Sequence, residues 1–311
     1  MNATIGVDIS KDHLDVHRLP DGATKRFTNN ARGHRQFVAW LAGDELDRIV
    51  YEATGHYHRS FESALAQASL PLAKVNPRQA RRFAEAFGAL AKSDRIDAAM
   101  LAEMGRRLQP DIREPASQAL NTLRDLQSAR RALIKDRTAA KNRLARHSLD
   151  LLKAHTQARL EQIAQQIADI DRLTFEMISA DPLLKRRFSL LTSIPGISKT
   201  TACIILSEMP ELGNIQARQA ASLAGLAPFT KQSGAWSGKA RIRAGRRNLR
   251  YALYMPALVA TRFNPDLKAT YEKLCAAGKP FKVAITAVMR KLLILANAII
   301  RKDTPWAPVV A

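Results

Sequence analysis

An α/β domain followed by a mainly helical remainder is the fold class this sequence predicts. Three observations carry it. In the first 110 residues, short apolar runs and helix-period segments alternate in the order βββ-α-β-α-β-α. Residues from about 117 to 180 are nearly devoid of Gly and Pro and read as two long helices. Beyond Asp181-Pro182, further helical segments are punctuated by Gly and Pro.

The elements follow in order. Residues 3–9, 13–19 and 23–28 read as strands, with Pro20-Asp21-Gly22 as turn chemistry between the second and third. A helix around Phe37, Val38, Trp40 and Leu41 precedes a strand ending at Glu52, and a helix runs through Phe61 to Leu65. A strand from Leu70 to Val75, a helix opened by Pro77 and a helix from about Asp94 to Leu108 complete the unit. This is the order of the RNase H-like (RuvC-like) fold. Actin-like kinases share the core, but the glycine-rich phosphate loops they need are not found here. Pro110 and Pro115 close a first domain, residues 1–115. A helical coiled-coil segment is expected over 116–182, and a third domain over 183–311.

Within the first domain, four carboxylates stand out. Asp8 follows Ile5-Gly6-Val7 and Glu52 follows Ile49-Val50-Tyr51, so each is an acid at the C-terminal end of a buried strand, where open sheets place their sites. Asp94 and Asp97 are three apart and share one face if the segment is helical. A charge at the end of a core strand is costly unless compensated, and a divalent cation compensates it. The alternative is four unrelated acids, one of them capping the helix that starts near Ser93. His56 and His58 flank Tyr57 nearby, but Mg²⁺ prefers oxygen ligands, so both read as ordinary helix-start residues.

The 311-residue chain carries 49 Lys and Arg against 28 Asp and Glu, a formal charge of +21. That excess points to a polyanionic partner and away from small-metabolite enzymes. A membrane surface is a poorer fit, because the basic stretches lack a bulky apolar face. The apolar stretch from Val283 to Ile300 is interrupted by Arg290-Lys291 and reads as a buried helix rather than a membrane span. Cys203 and Cys275 are isolated, with no zinc spacing, and Cys203 reads as a core residue. The N-terminus passes directly into a strand, so a cytoplasmic or nucleoid-associated protein is expected.

The charge is concentrated in two tracts. Between Arg124 and Arg146 lie eight basic residues and two acidic ones, with Arg130, Arg131, Lys135, Arg137, Lys141 and Arg143 as candidate phosphate contacts. A solvated helix face is the plainer reading of such a run. Leu160, Ile163, Ile167, Ile170, Thr174 and Met177 form a short a/d seam, either a dimer contact or one half of an intramolecular hairpin. Farther on, residues 193–202 resemble the hairpin of a helix-hairpin-helix motif. Its Pro195-Gly196 turn and Lys199 offer N–H groups and charge to a phosphate; a plain packing turn is the alternative.

The second tract, residues 231–250, holds seven basic residues and no acid. Lys231, Lys239, Arg241, Arg243, Arg246 and Arg247 are the candidate nucleic-acid contacts, and Trp236 a candidate base-stacking side chain. Ser233 sits beside Gly234 within it. Serine is a weak nucleophile that needs a base, a metal or a strongly cationic site, so on its own Ser233 reads as a turn residue.

The combination resembles the DEDD transposases of bacterial insertion sequences, the insertion-sequence one-ten family, and their Piv-type DNA invertase relatives. The resemblance covers nearly the whole chain. It rests on residues 6–11, Glu52-Ala53-Thr54-Gly55 with Tyr57, Val75-Asn76-Pro77, residues 92–98 and Ile194-Pro195-Gly196-Ile197. In the last third it rests on residues 223–228, Ser233-Gly234, Leu249-Arg250 with Leu253-Tyr254, and Gly278-Lys279-Pro280. It implies a DEDD tetrad at Asp8, Glu52, Asp94 and Asp97 holding Mg²⁺, two ions in all, and a nucleophile at Ser233, with Ser237 the less favoured choice. It also implies DNA at the element junction and target, a structured guide RNA made from the element, and a dimer or tetramer. The rival readings are a metal-dependent nuclease or resolvase that uses water, and a non-catalytic nucleic-acid-binding protein.

Overall fold

The computed structural model describes residues 2–53, 55, 57–88, 94–230, 232–234, 236–238 and 240–308, with the backbone alone at 236 and 237. Of the residues singled out above, Thr54, His56, Lys92, Ser93, Lys231 and Lys239 lie outside the described set, as do the side chains of Trp236 and Ser237. The chain divides into two compact units, Met1–Ala116 and Ser117–Ala311. The helical segment at 117–180 thus falls within the second unit.

The first unit is built from β1 (Ala3–Ile9), β2 (His13–Leu19), β3 (Thr24–Thr28), α1 (Ala31–Trp40), β4 (Leu46–Glu52), α2 (His58–Gln67), β5 (Leu72–Val75), α3 (Pro77–Ala86) and α4 (Asp94–Leu108). Its mixed sheet has the order β3-β2-β1-β4-β5. β2 is antiparallel to both β1 and β3, while β4 is parallel to β1 and to β5. β1 is the central strand, so both its faces are covered, and this is why it reads as a continuous apolar run.

Alternation sorts the strand residues. Ile5, Val7 and Ile9 join Leu14, Val16, Ile49 and Tyr51 in one core with Phe37 of α1 and Phe61 and Leu65 of α2. Each large side chain buried there contributes about 1.5–3 kcal/mol. Val50, Ala73 and Val75 face the other way and pack with Leu101 and Met104 of α4. By the same period of two, Asp8 and Glu52 lie on the α4 face. Trp40 belongs to the first core, stacked among Phe27, Phe37 and the Arg18 guanidinium.

Gly6 sets how close α4 comes to the sheet. A Cβ there would overlap Ala98 O and Ala102 N and lie 3.0 Å from Ala102 Cα. Gly6→Ala is therefore expected to force α4 off β1 and to cost about 3 kcal/mol or more. Chemical denaturation checks this; a loss under about 1 kcal/mol would mean that the helix simply slides.

A buried polar cluster lies behind β4, on the side away from α4. The Tyr51 hydroxyl donates to Glu62 Oε1 at 2.6 Å, and Lys74, opposite Tyr51 in the β4–β5 register, forms an ion pair with the same carboxylate. His58 Nε2 lies 3.2 Å from Lys74 Nζ. Glu62 is buried because Lys74 offsets its charge and two donors satisfy its oxygen.

The second unit comprises α5 (Gln118–Leu144), α6 (Asp150–Ala180), α7 (Pro182–Thr192), α8 (Lys199–Glu208), α9 (Ala217–Leu223), β6 (Pro228–Phe229), β7 (Gln232–Ser233), β8 (Trp236–Ser237), β9 (Arg241–Ile242), α10 (Arg247–Ala252), α11 (Tyr254–Phe263), α12 (Pro265–Ala276) and α13 (Phe281–Lys302). α5 and α6 fold back on each other, pinned by a bidentate Arg130–Asp171 pair at 2.7 and 3.1 Å. Of the seam residues, Ile163, Ile167 and Thr174 are buried within the single chain. The hairpin reading of the seam therefore accounts for its burial without a second copy.

α13 is long and apolar enough by composition to cross a bilayer, yet half of it is buried inside the unit. Ile285, Val288, Met289, Leu292, Leu293 and Ile299 of α13 share a core with Leu190, Leu191, Leu206 and Ala257. Cys203 lies in that core, and burial pushes its thiol up to about 12, which makes it a packing residue.

Candidate carboxylate site and basic surfaces

Asp8, Glu52 and Asp97 line one cleft of about 250 Å³, walled by Pro77, Ala80, Arg81 and Ala84 of α3 and by Met100 and Leu101 of α4. Asp8 is delivered by β1 and Glu52 by the end of β4. Asp97 comes from the first turn of α4, where the helix dipole favours an acid. Asp94, the first residue of that helix, is not part of the cleft lining. Its Oδ2 lies 3.7 Å from Arg26 Nη2, and Arg26 also makes a bidentate pair with Asp15 at 2.8 and 3.0 Å.

Electrostatics ties the four acids together. The Asp8 carboxyl is pushed from 3.8 up to about 6, first by burial and then by the charges of Asp97, Asp94, Glu52 and Asp15. The helix dipole favours an acidic pair in the first turn of α4, but it does not account for Asp8 or Glu52, which the sheet holds half-buried among like charges. The donor set is all oxygen, as Mg²⁺, Mn²⁺ or Ca²⁺ prefer. Among the described residues, no group of three or more His, Cys, Asp or Glu side chains is arranged to hold a metal ion as it stands.

The shift of Asp8 has a thermodynamic consequence. Its folded pKa lies above its unfolded value, so the fold favours the protonated form. The stability linked to this group is present below about pH 4 and is lost as pH rises through about 6. In EDTA at pH 8, Asp8→Asn is therefore expected to melt above the parent by about 3–6 °C, after allowance for partial exposure to water. The gap should close as pH falls toward 4, which thermal denaturation at a series of pH values checks. A variant that melts below the parent at pH 8 would contradict the reading.

Asp15 and Arg26 were not singled out in the sequence. The signal was present: Asp15 is the register partner of Asp8 in the β1–β2 pair, and Arg26 is that of Asp15 in β2–β3. Reading across strands requires the hairpin register, which the sequence leaves open.

Ser233 is exposed at the end of β7, paired with Trp236 of β8, and Gly234 after it has φ +55°. It thus stands at the tip of a tight hairpin. Arg241 and Arg243 are exposed, with the Arg243 guanidinium 6.0 Å from the Phe229 ring, and Arg247 lies over Tyr251 at 5.2 Å. Arg246 is committed elsewhere: it pairs with Glu211 and donates to Glu208 O at 2.7 Å. On α5, Arg130 is held by Asp171 and Arg131 by Glu208, whereas Lys135, Lys141 and Arg143 are exposed and Arg137 is partly so. These ion pairs use part of the charge expected to face phosphate. They orient the hairpin and the base of the loop instead.

The Pro195-Gly196 turn joins α7 to α8, and Ser198 caps α8 by accepting from Thr201 N. Gly196 has φ +106°, and a Cβ there would lie 2.6 Å from Pro256 O. Close approach of α11 therefore requires this glycine independently of any ligand. Lys199 is exposed at the start of α8.

Comparison with known proteins places this geometry. Residues 5–153 match the DEDD transposase family model, described as Transposase, and residues 188–272 match the model described as Transposase IS116/IS110/IS902 family. The Pilin gene-inverting protein of Moraxella bovis is 30% identical over 320 residues, covering 97% of each chain, and that of Moraxella lacunata is equally similar. The Insertion element IS110 uncharacterized 43.6 kDa protein of Streptomyces coelicolor is 28% identical over 159 residues, covering 50% of this chain and 38% of that one. Among solved structures, T. thermophilus RuvC in complex with Holliday junction substrate aligns with a TM-score of 0.28 and 12% identity, over 35% of this chain and 96% of that one. The chain is an enzyme of DNA transposition and recombination. It belongs to the IS110 family of DEDD transposases, which has Piv-type relatives.

Proposed function

We propose that the protein is a site-specific recombinase that cuts, exchanges and rejoins DNA strands through a phosphoserine at Ser233, with Asp8, Glu52, Asp94 and Asp97 as its Mg²⁺ site. The observation that carries the reading is the convergence of Asp8, Glu52 and Asp97 on one cleft, with the Asp8 carboxyl raised among like charges. The mixed sheet order and the strand-end placement of Asp8 and Glu52 support a RuvC-like assignment for the first unit.

Two Mg²⁺ ions held there would supply positive charge to the attacking and leaving oxygens of an in-line displacement. The chain's own residues do the rest. Asp8 and Glu52 fix the site from the rigid ends of β1 and β4, and Asp97 approaches from α4. Ser233 Oγ forms a bond to phosphorus as the bond to the leaving sugar oxygen breaks, and the serine proton passes by way of solvent to that oxygen, which departs as a hydroxyl. Exposed Arg241, Arg243 and Arg247, with Lys231 and Lys239, offset charge on the phosphate. The phosphodiester is kept as a protein–DNA ester, so resealing needs no ATP. The names of the Moraxella relatives, which invert a pilin gene, support strand exchange over plain hydrolysis.

The reading includes a structured guide RNA beside the DNA and assembly as a dimer or tetramer in the cytoplasm; the surplus of positive charge supports a polyanionic partner, and the rest is what the family resemblance implies. The test is a denaturing gel of the protein incubated with Mg²⁺ and DNA carrying the element junction. A covalent protein–DNA adduct that EDTA suppresses is expected. Metal-dependent cleavage with no adduct would favour hydrolysis by water, and binding with no cleavage would leave a nucleic-acid-binding protein.

A further inference from the structure

The Asn29 side chain links the backbone at Ser10, which follows Asp8, to the backbone at Tyr57, which follows Glu52. The β1–β4 ladder ends at the pair Val7–Tyr51, one residue short of each carboxylate. Among the described residues the ladder has no pair beyond it, and like charge on Asp8 and Glu52 favours their separation. Asn29, just after β3, spans that gap. Its Nδ2 donates to Ser10 O at 2.8 Å and to Tyr57 O at 3.2 Å. Ser10 is two residues past Asp8, and Tyr57 is five past Glu52. Asn29 is itself anchored, since its N–H donates to Asp12 O at 2.9 Å.

The geometry also fixes how Asn29 is turned. Both amide hydrogens go to carbonyls, so Oδ1 is the atom that meets His34 Nε2 at 2.8 Å. An acceptor at that distance requires His34 to carry its proton on Nε2. His34 is buried on α1, edge-on to the Phe61 ring at 5.9 Å. Burial lowers its pKa and keeps the ring neutral. α1 is in turn fixed by Asn30, whose side chain accepts from Gly33 N.

We propose that Asn29, oriented by His34, is a positioning residue that sets the separation of the Asp8 and Glu52 carboxylates by clamping the segments that follow them. Asn29 acts through the backbone carbonyls of Ser10 and Tyr57. The inference rests on the carboxylate-cleft reading above. Outer partners that orient a site typically change metal affinity by about 10–100-fold when removed.

The experiment is a Mn²⁺ titration of the full chain without DNA, followed by the electron paramagnetic resonance signal of free Mn²⁺. Asn29→Ala is expected to weaken binding by about tenfold or more. His34→Gln keeps an N–H donor near the imidazole Nε2 position and should stay within about threefold of the parent, whereas His34→Leu should fall with Asn29→Ala. That contrast is one a merely structural role would not produce, and it decides the matter even where Asn29→Ala fails to fold. Parent-like Mn²⁺ affinity in Asn29→Ala, or equal affinity in the two His34 variants, overturns the clamp. A parent that binds Mn²⁺ no better than Asp8→Asn overturns the carboxylate site itself, and the clamp with it.

Discussion

Asp8→Asn or Glu52→Gln is expected to lower DNA strand cleavage by about 10³-fold or more while leaving DNA affinity unchanged or slightly raised. Each substitution keeps the shape of the side chain and removes its charge. Neither residue is needed to hold the sheet together, because the ladder partners of β1 and β4 are backbone groups and the cores on either side are apolar. What is lost is the anionic field that raises the Asp8 carboxyl to about 6, and with it the attraction for a divalent cation. Removing a negative charge from a surface that faces phosphate does not weaken binding. Single-turnover cleavage, measured beside a filter-binding isotherm on the same DNA, separates the two quantities. Parent-like cleavage in either variant, or in EDTA, would rule the cleft out as the reaction centre. Asp94→Asn should be the mildest of the four, since that residue stands outside the cleft lining and next to Arg26.

Ser233→Ala is expected to eliminate the covalent adduct and recombination together, because alanine has no oxygen to attack phosphorus. The residue is exposed at a hairpin tip, so the change removes an oxygen without opening a cavity, and folding and DNA affinity should be retained. Ser233→Cys should keep at most a trace, since a thiolate is a softer partner for Mg²⁺ than an alkoxide. Ser237 pairs with Gln232 one position along the same ribbon, and Ser237→Ala should be milder. If Ser237→Ala proves the more damaging, the nucleophile has been placed on the wrong strand of the hairpin. Cleavage at the parent's rate by Ser233→Ala would instead assign the attack to water.

The sheet of the first unit was legible because its signals are local. Apolar runs of strand length, Pro20-Asp21-Gly22 and Pro77 at a helix start each act within a few residues, and the element order follows from them. Asp8 and Glu52 were legible for the same reason, as charges placed immediately after buried runs. Other features depend on partners distant in the chain. Arg130, Arg131 and Arg246 look like free charge in one dimension, and only folding brings Asp171, Glu208 and Glu211 to them. The need for glycine at position 196 comes from the close approach of α11, a partner some sixty residues on that spacing alone does not show. Asp94 and Asp97 share a helical turn, yet Asp97 lines the cleft and Asp94 stands beside Arg26, a distinction that spacing alone does not encode. Asn29 gave no signal at all, because its role lies in two carbonyls that any residue could supply.

The lack of space at Gly6 bears on how such a gene can drift. Every single-nucleotide change that alters a glycine codon introduces a larger side chain or a stop. At this position even a methyl group collides with the backbone of α4, so no compensating change in a neighbouring side chain can make room. Relief would require the whole helix to move, carrying Asp97 away from Asp8 and Glu52. Mutation here is thus filtered by atoms that no substitution can trim. A reading frame in which this codon has changed is expected to mark a decaying copy of the gene rather than a variant with altered specificity.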